Sequence, residues 1–218
     1  MKRILGNTYT PTIGEECANT ISHGVMAILT LFTIPFAILW AFHLRNSYLD
    51  AVGVSIYMIS IFSMFSVSTL YHMMPEGTSI KEKWHLFDHI FIYVAIAGCY
   101  TPPSLSIIGG TWGIVVVVLQ WTIVLLGTFY KIFAKKPRQF VSLAIYISMG
   151  WMIVLFLPNL LKNAGMEFLF WLILGGLFYT IGAVIYAKKS FKYYHFVWHM
   201  FINFAAVSQF IAFVFYLN

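Results

Sequence analysis

His195 and His199 stand four residues apart in the segment YYHFVWHMF, which is otherwise aromatic and aliphatic. On an α-helix that spacing sets two side chains about 40° apart around the axis and about 6 Å along it, on one face. Two neutral imidazoles so placed can bind one ion. Ser68 and His72, in STLYH, have the same spacing, so a third imidazole can join from another segment with a hydroxyl one turn away. Three imidazoles and a water are the ligands of a catalytic zinc centre, whose fourth position stays open for chemistry. Water bound there loses a proton near neutrality and becomes a nucleophile able to attack a carbonyl. A nearby carboxylate would orient that water or move its proton, and Asp88, in HLFDHIF, is the candidate. Ser68 would support the water or a substrate oxyanion. For the histidine pair alone, a proton relay or a packing motif is the other reading.

The segments that carry these residues are membrane spans. Of 218 residues, 61% are hydrophobic and 9% are charged, too few charges to cover a soluble domain of this size. Seven apolar runs are long enough to cross a bilayer. They cover about residues 21–42, 51–72, 89–108, 111–130, 140–158, 168–187 and 194–217. Short connections leave no room for a soluble domain, so the chain reads as one all-α bundle over residues 1–218, with a short N-terminal segment at 1–20. That segment does not resemble a signal peptide, because no continuous apolar region follows its basic residues. Thr101-Pro102-Pro103 predicts a kink or an early helix end in the third run. Cys17 and Cys99 do not suggest a disulfide framework.

Charge placement gives an orientation. All but two of the 13 lysines and arginines fall before the first run or in alternate connections, on one side; Arg45 and Lys162 fall on the other. The positive-inside rule then sets the N-terminus in the cytoplasm and the C-terminus outside. The net charge of +6 is therefore topology information and gives no support to nucleic-acid binding. With this orientation, all of the seven histidines except His43 fall in one layer near the cytoplasmic face. EECANTISHG adds Glu16, Asn19, Ser22 and His23 to that layer.

Other polar residues have plainer readings. His23 and His85 read as helix-end histidines that bond a carbonyl or snorkel. His89 diverges from Asp88 by about 100° and points elsewhere. Arg45, Asp50 and Glu167 read as solvated loop charges. Gly109-Gly110 suits a loop and Gly175-Gly176 a close helix contact.

Four segments in this order, EECANTISHG, SVSTLYH, DHIFIYVAIAGCYTPP and HFVWHMF, resemble the hemolysin III family. That family is the bacterial branch of the progestin and adipoQ receptor membrane proteins. The resemblance spans essentially the whole chain. It implies a seven-helix fold with an inner-side zinc site, in which Ser68, His72, Asp88, His195 and His199 match the family's motifs. The wider superfamily includes alkaline ceramidases, so a zinc-dependent lipid amidase is the implied reaction. Bacterial relatives commonly carry a glycine and a further histidine after the seventh-span pair. This chain has Asn203 and AAVSQF there, with Asn203 on the face of His195 and His199.

The expectation is therefore a multi-pass protein of a bacterial inner membrane. His72, His195 and His199 would hold zinc, Asp88 and Ser68 would serve catalysis, and membrane lipids would be the partners and the source of substrate. The rival is a non-enzymatic membrane sensor or permeabilising protein with a structural metal site. A proton-coupled transporter is disfavoured, because no paired acidic residue falls at mid-membrane depth.

Overall fold

Thr12 starts the first helix. Its hydroxyl accepts the Glu15 N–H, and the Glu15 carboxylate reaches back to the Thr12 N–H at 2.8 Å, forming a capping box. The computed structural model describes residues 10–134, 138–188 and 191–217. Its elements in order are α1 (Ile13–Arg45), α2 (Tyr48–Met73), α3 (Ser79–Pro103) with a π-helical turn at Ser104–Ile108, and α4 (Gly110–Phe133). Then follow α5 (Gln139–Trp151), a 3₁₀ segment (Met152–Phe156), α6 (Leu157–Asn163), α7 (Met166–Lys188) and α8 (Tyr194–Phe215). With α5 and α6 counted as one interrupted span, 7 helices among the described residues are long and apolar enough to cross a membrane. No strand occurs among them. The chain is an all-α, multi-pass membrane protein.

Helix starts lie earlier than hydropathy predicts. α1 begins at Ile13 and α3 at Ser79, because Thr12 and Thr78 cap helices whose first turns are polar. An apolar window senses only the stretch matched to hydrocarbon and misses these capped extensions. Asp88 and His89 therefore sit more than two turns inside α3, not at its start.

The prolines of α3 do not end it early. The helix runs through Pro102 and Pro103 and continues as the π turn, closed by the Gly109 N–H on Ser104 O at 3.0 Å. Gly109 and Gly110, both with positive φ, then turn the chain into α4. The interruption of the fifth span has a specific cause. The Tyr100 hydroxyl donates to Gly150 O and accepts the Ile153 N–H, both at 2.7 Å, which satisfies backbone groups where α5 gives way to the 3₁₀ segment.

α1 packs on α2 and α8, α2 on α3, α3 on α4, and α7 on α8. Tyr57 is fully buried and its hydroxyl donates to Ala206 O at 3.0 Å, tying α2 to α8. At Gly182 a Cβ would fall 2.8 Å from Phe201 Cβ, so the bare backbone of α7 lets α8 press against it. Outward faces carry Leu125, Leu126 and Phe129, as a lipid-facing surface requires. Asp50 departs from the solvated-loop reading. It lies in the first turn of α2, is 3% exposed, and accepts the Ser106 hydroxyl, because the π turn folds over that helix end.

Candidate metal centre

His72 occupies the last turn of α2, and His195 and His199 the first two turns of α8. Each of the three offers a nitrogen, and these atoms lie within 4.8 Å of one another. The ring centroids are 5.0 Å apart for His72 with either partner and 4.7 Å apart for His195 and His199. His72 and His199 are buried and His195 is half-buried. The structure thus brings together the three residues that spacing singled out.

The rings are held by α1, which supplies no ligand. His72 Nδ1 lies 2.6 Å from Glu16 Oε2, and a carboxylate there can only accept, so Nδ1 carries the proton. Its Nε2 is then a lone pair, buried and without a protein partner. Ser22 fixes His199 by the same logic. Its hydroxyl hydrogen goes to Asn19 O at 2.8 Å, so at 3.1 Å its oxygen accepts from His199 Nδ1 and leaves Nε2 free. Both contacts are the outer-shell bonds that hold metal-binding imidazoles in one tautomer. The donor set and the orphaned Nε2 of His72 fit a metal ion.

α1 also anchors the entry to α8. Glu15 Oε1 accepts the Tyr193 N–H at 2.8 Å, and Tyr193 has a left-handed backbone (φ 64°) that turns the chain into the helix bearing His195. His23 packs face to face on His199, with centroids 3.6 Å apart and an interplanar angle of 3°. It is 3% exposed and neither ring nitrogen has a hydrogen-bond partner, which overturns its reading as a snorkelling helix-end residue.

Ser68 and Asp88 line a cavity of about 320 Å³ together with His23, His195 and His199. The Ser68 hydroxyl lies beside the Asp88 carboxylate. His89 also lines the cavity but stays outside the cluster of His72, His195 and His199, its Nδ1 donating to His85 O at 2.9 Å. Asn203 does not face the cavity. Its amide donates to Ser22 O at 3.4 Å, so this polar side chain supports the α1–α8 seam. From the histidine end the cavity runs into an apolar region bounded by Tyr100, Val154, Leu172 and Leu177, between α3, α5 and α7. Among the described residues α5 packs on α3 and α4 but forms no continuous seam with α7, and residues of both line the cavity. Its size falls at the lower end of small-molecule sites, roughly 300–1,000 Å³.

Sequence reasoning sets Glu16 and Ser22 in the histidine layer without giving them a role, and it does not reach Lys81. The signal was there for the first two: Glu16, Asn19 and His23 recur at i, i+3 and i+7, the pattern of one helix face, with Ser22 adjoining it.

A family model described as haemolysin-III related matches residues 12–210. The chain belongs to the haemolysin-III family. A hemolysin-3 homolog of Bacillus subtilis (strain 168) is 34% identical over 208 residues, covering 94% of this chain and 95% of the relative. The hemolysin-3 of Bacillus cereus is 30% identical over 210 residues, covering 95% and 94%. The human monocyte to macrophage differentiation factor is 26% identical over 213 residues, covering 94% and 85%. No solved structure matches this haemolysin-III chain with significance.

Proposed function

We propose that the protein is a zinc-dependent hydrolase of a bacterial inner membrane that cleaves an amide-linked lipid. One observation carries the reading: three histidine nitrogens lie within 4.8 Å of one another, and two of those residues, His195 and His199, line an apolar cavity. His72, His195 and His199 would hold the ion through Nε2 of His72 and Nε2 of His199, together with His195. Zinc at such a site supplies a Lewis acid and a water of lowered pKa.

The chain's own residues have separable tasks. Glu16 and Ser22 keep two imidazoles in the ligating tautomer. Asp88 orients water and takes its proton, with Ser68 beside it to support that water or the oxygen of the substrate carbonyl. The apolar walls between α3, α5 and α7 would take an acyl chain and exclude bulk water. Membrane lipids are then the source of substrate. By the positive-inside rule, the basic connections support a histidine end that faces the cytoplasm.

The names of the Bacillus relatives favour a second reading, a protein that permeabilises membranes and uses the metal for structure. Two measurements separate the readings. Purified wild type should hold about one zinc per chain and His199→Ala much less; a metal-free wild type sinks both the site and the chemistry. A panel of N-acyl lipids given to zinc-loaded protein should release fatty acid, and Asp88→Ala should release it about 10²–10⁴-fold more slowly. Equal release by the two proteins removes Asp88 from the mechanism, and no release by wild type favours the structural-metal reading.

A further inference from the structure

Lys81 is 6% exposed in the first turn of α3, and the chemistry above makes no use of it. Lysine is almost never fully buried unless it is paired. Its ammonium has three donors, and three acceptors meet them: Glu16 Oε1 at 2.9 Å, Met74 O at 3.2 Å and Glu76 Oε2 at 3.3 Å. The Tyr71 ring lies 5.1 Å away on a further side. These partners differ in character. Glu76 is largely exposed (63%), whereas the Glu16 side chain is 16% exposed and its second oxygen is the one that holds His72.

We infer that Lys81 is a positioning residue for the metal centre, acting through Glu16 on His72. The inference rests on the metal reading above. A carboxylate holding one imidazole can rotate about its last torsion and present either oxygen. With Oε1 tied to a buried ammonium that is itself held by the Met74 carbonyl, only Oε2 is left for His72 Nδ1. The imidazole is thereby fixed in the tautomer and direction that keep Nε2 free. Three helices take part: Lys81 from α3, Glu16 from α1 and His72 from α2. Met74, which anchors the ammonium, is the residue that ends the helix carrying His72. The lysine therefore links the start of α3 to a ligand nine positions earlier in the chain, with no contact to the ion.

The test is zinc affinity measured against a competing chelator on full-length protein in detergent, read as a double-mutant cycle. Outer-shell partners of metal-binding histidines are worth about ten- to hundredfold in affinity. Lys81→Met should weaken zinc binding by about that factor, and Lys81→Arg should recover part of it. In a Glu16→Gln background, Lys81→Met should have little further effect. Glu76→Gln, which touches the exposed side of the same ammonium, should leave affinity within about twofold, as exposed ion pairs contribute little. If Lys81→Met does not fold, Lys81→Gln takes its place in the same cycle. Wild-type affinity in a folded Lys81 variant overturns the inference, as does an undiminished loss in the Glu16→Gln background. A wild type that binds no zinc overturns the metal reading itself, which separates the two failures.

Discussion

The Glu15 carboxylate spans two places that sequence holds far apart. Oε2 takes the Thr12 N–H at 2.8 Å and Oε1 takes the Tyr193 N–H at 2.8 Å, so one side chain caps α1 and clasps the turn into α8. Glu15→Ala removes both. The Thr12 cap stays, but each hydrogen bond lost to the carboxylate is worth about 1–3 kcal/mol, and the freed turn lies two residues before His195. The expected outcome is a lower unfolding temperature together with weaker zinc binding. Zinc affinity equal to wild type would show that the turn holds His195 without the clasp.

Ser22 offers a cleaner separation of fold from ligation. Ser22→Ala leaves the packing of α1 nearly intact but takes away the acceptor for His199 Nδ1. Zinc affinity should fall by about ten- to hundredfold, with helix content by circular dichroism unchanged. An unaltered affinity would mean that stacking on His23 suffices to orient the ring.

Tyr100→Phe tests the interruption of the fifth span. Without the hydroxyl, Gly150 O and the Ile153 N–H lose their bridge. Leaving such groups unpaired where hydrocarbon excludes water costs about 1–3 kcal/mol. Thermal unfolding in detergent should shift down accordingly, while zinc stoichiometry holds. No shift would indicate that water satisfies the bend.

Gly176→Phe tests the apolar part of the cavity. Gly176 lines it, and a Cβ added there meets no atom within 4 Å, so the larger side chain can enter the space without displacing the backbone. Zinc content should match wild type, and retention of an N-acyl lipid on the purified protein should fall by about tenfold, the loss expected when the buried apolar contact of one or two methylenes is blocked. Undiminished retention would place the acyl chain elsewhere.

Much of this arrangement was legible in the residues. Apolar runs marked the seven spans, and i, i+4 spacing put His195 and His199 on one face. The third histidine of the cluster followed from the depth that topology assigned to His72. What escaped depends on interactions that span-finding does not weigh. Thr12 and Thr78 extend α1 and α3 beyond the apolar windows, and those added turns carry Glu15, Glu16 and Lys81. A hydropathy reading classes them as interfacial charges. Folding makes Glu16 and Lys81 partners through long-range contacts that no local pattern records. Asp50 was misplaced for a similar reason, since its burial depends on a π turn that begins after two prolines.

On the proposed reading that a lipid substrate enters between α5 and α7, concentration takes on a different meaning for this site. A molecule that enters there arrives from the leaflet, so its mole fraction in lipid, and not its molarity in buffer, sets occupancy. Each methylene added to an amphiphile raises its membrane partition by about 0.8 kcal/mol, close to fourfold. Apparent aqueous potency would therefore climb with chain length even where the protein gains no new contact. A homologous series of inhibitors has to be compared at equal surface density before any difference is assigned to the pocket.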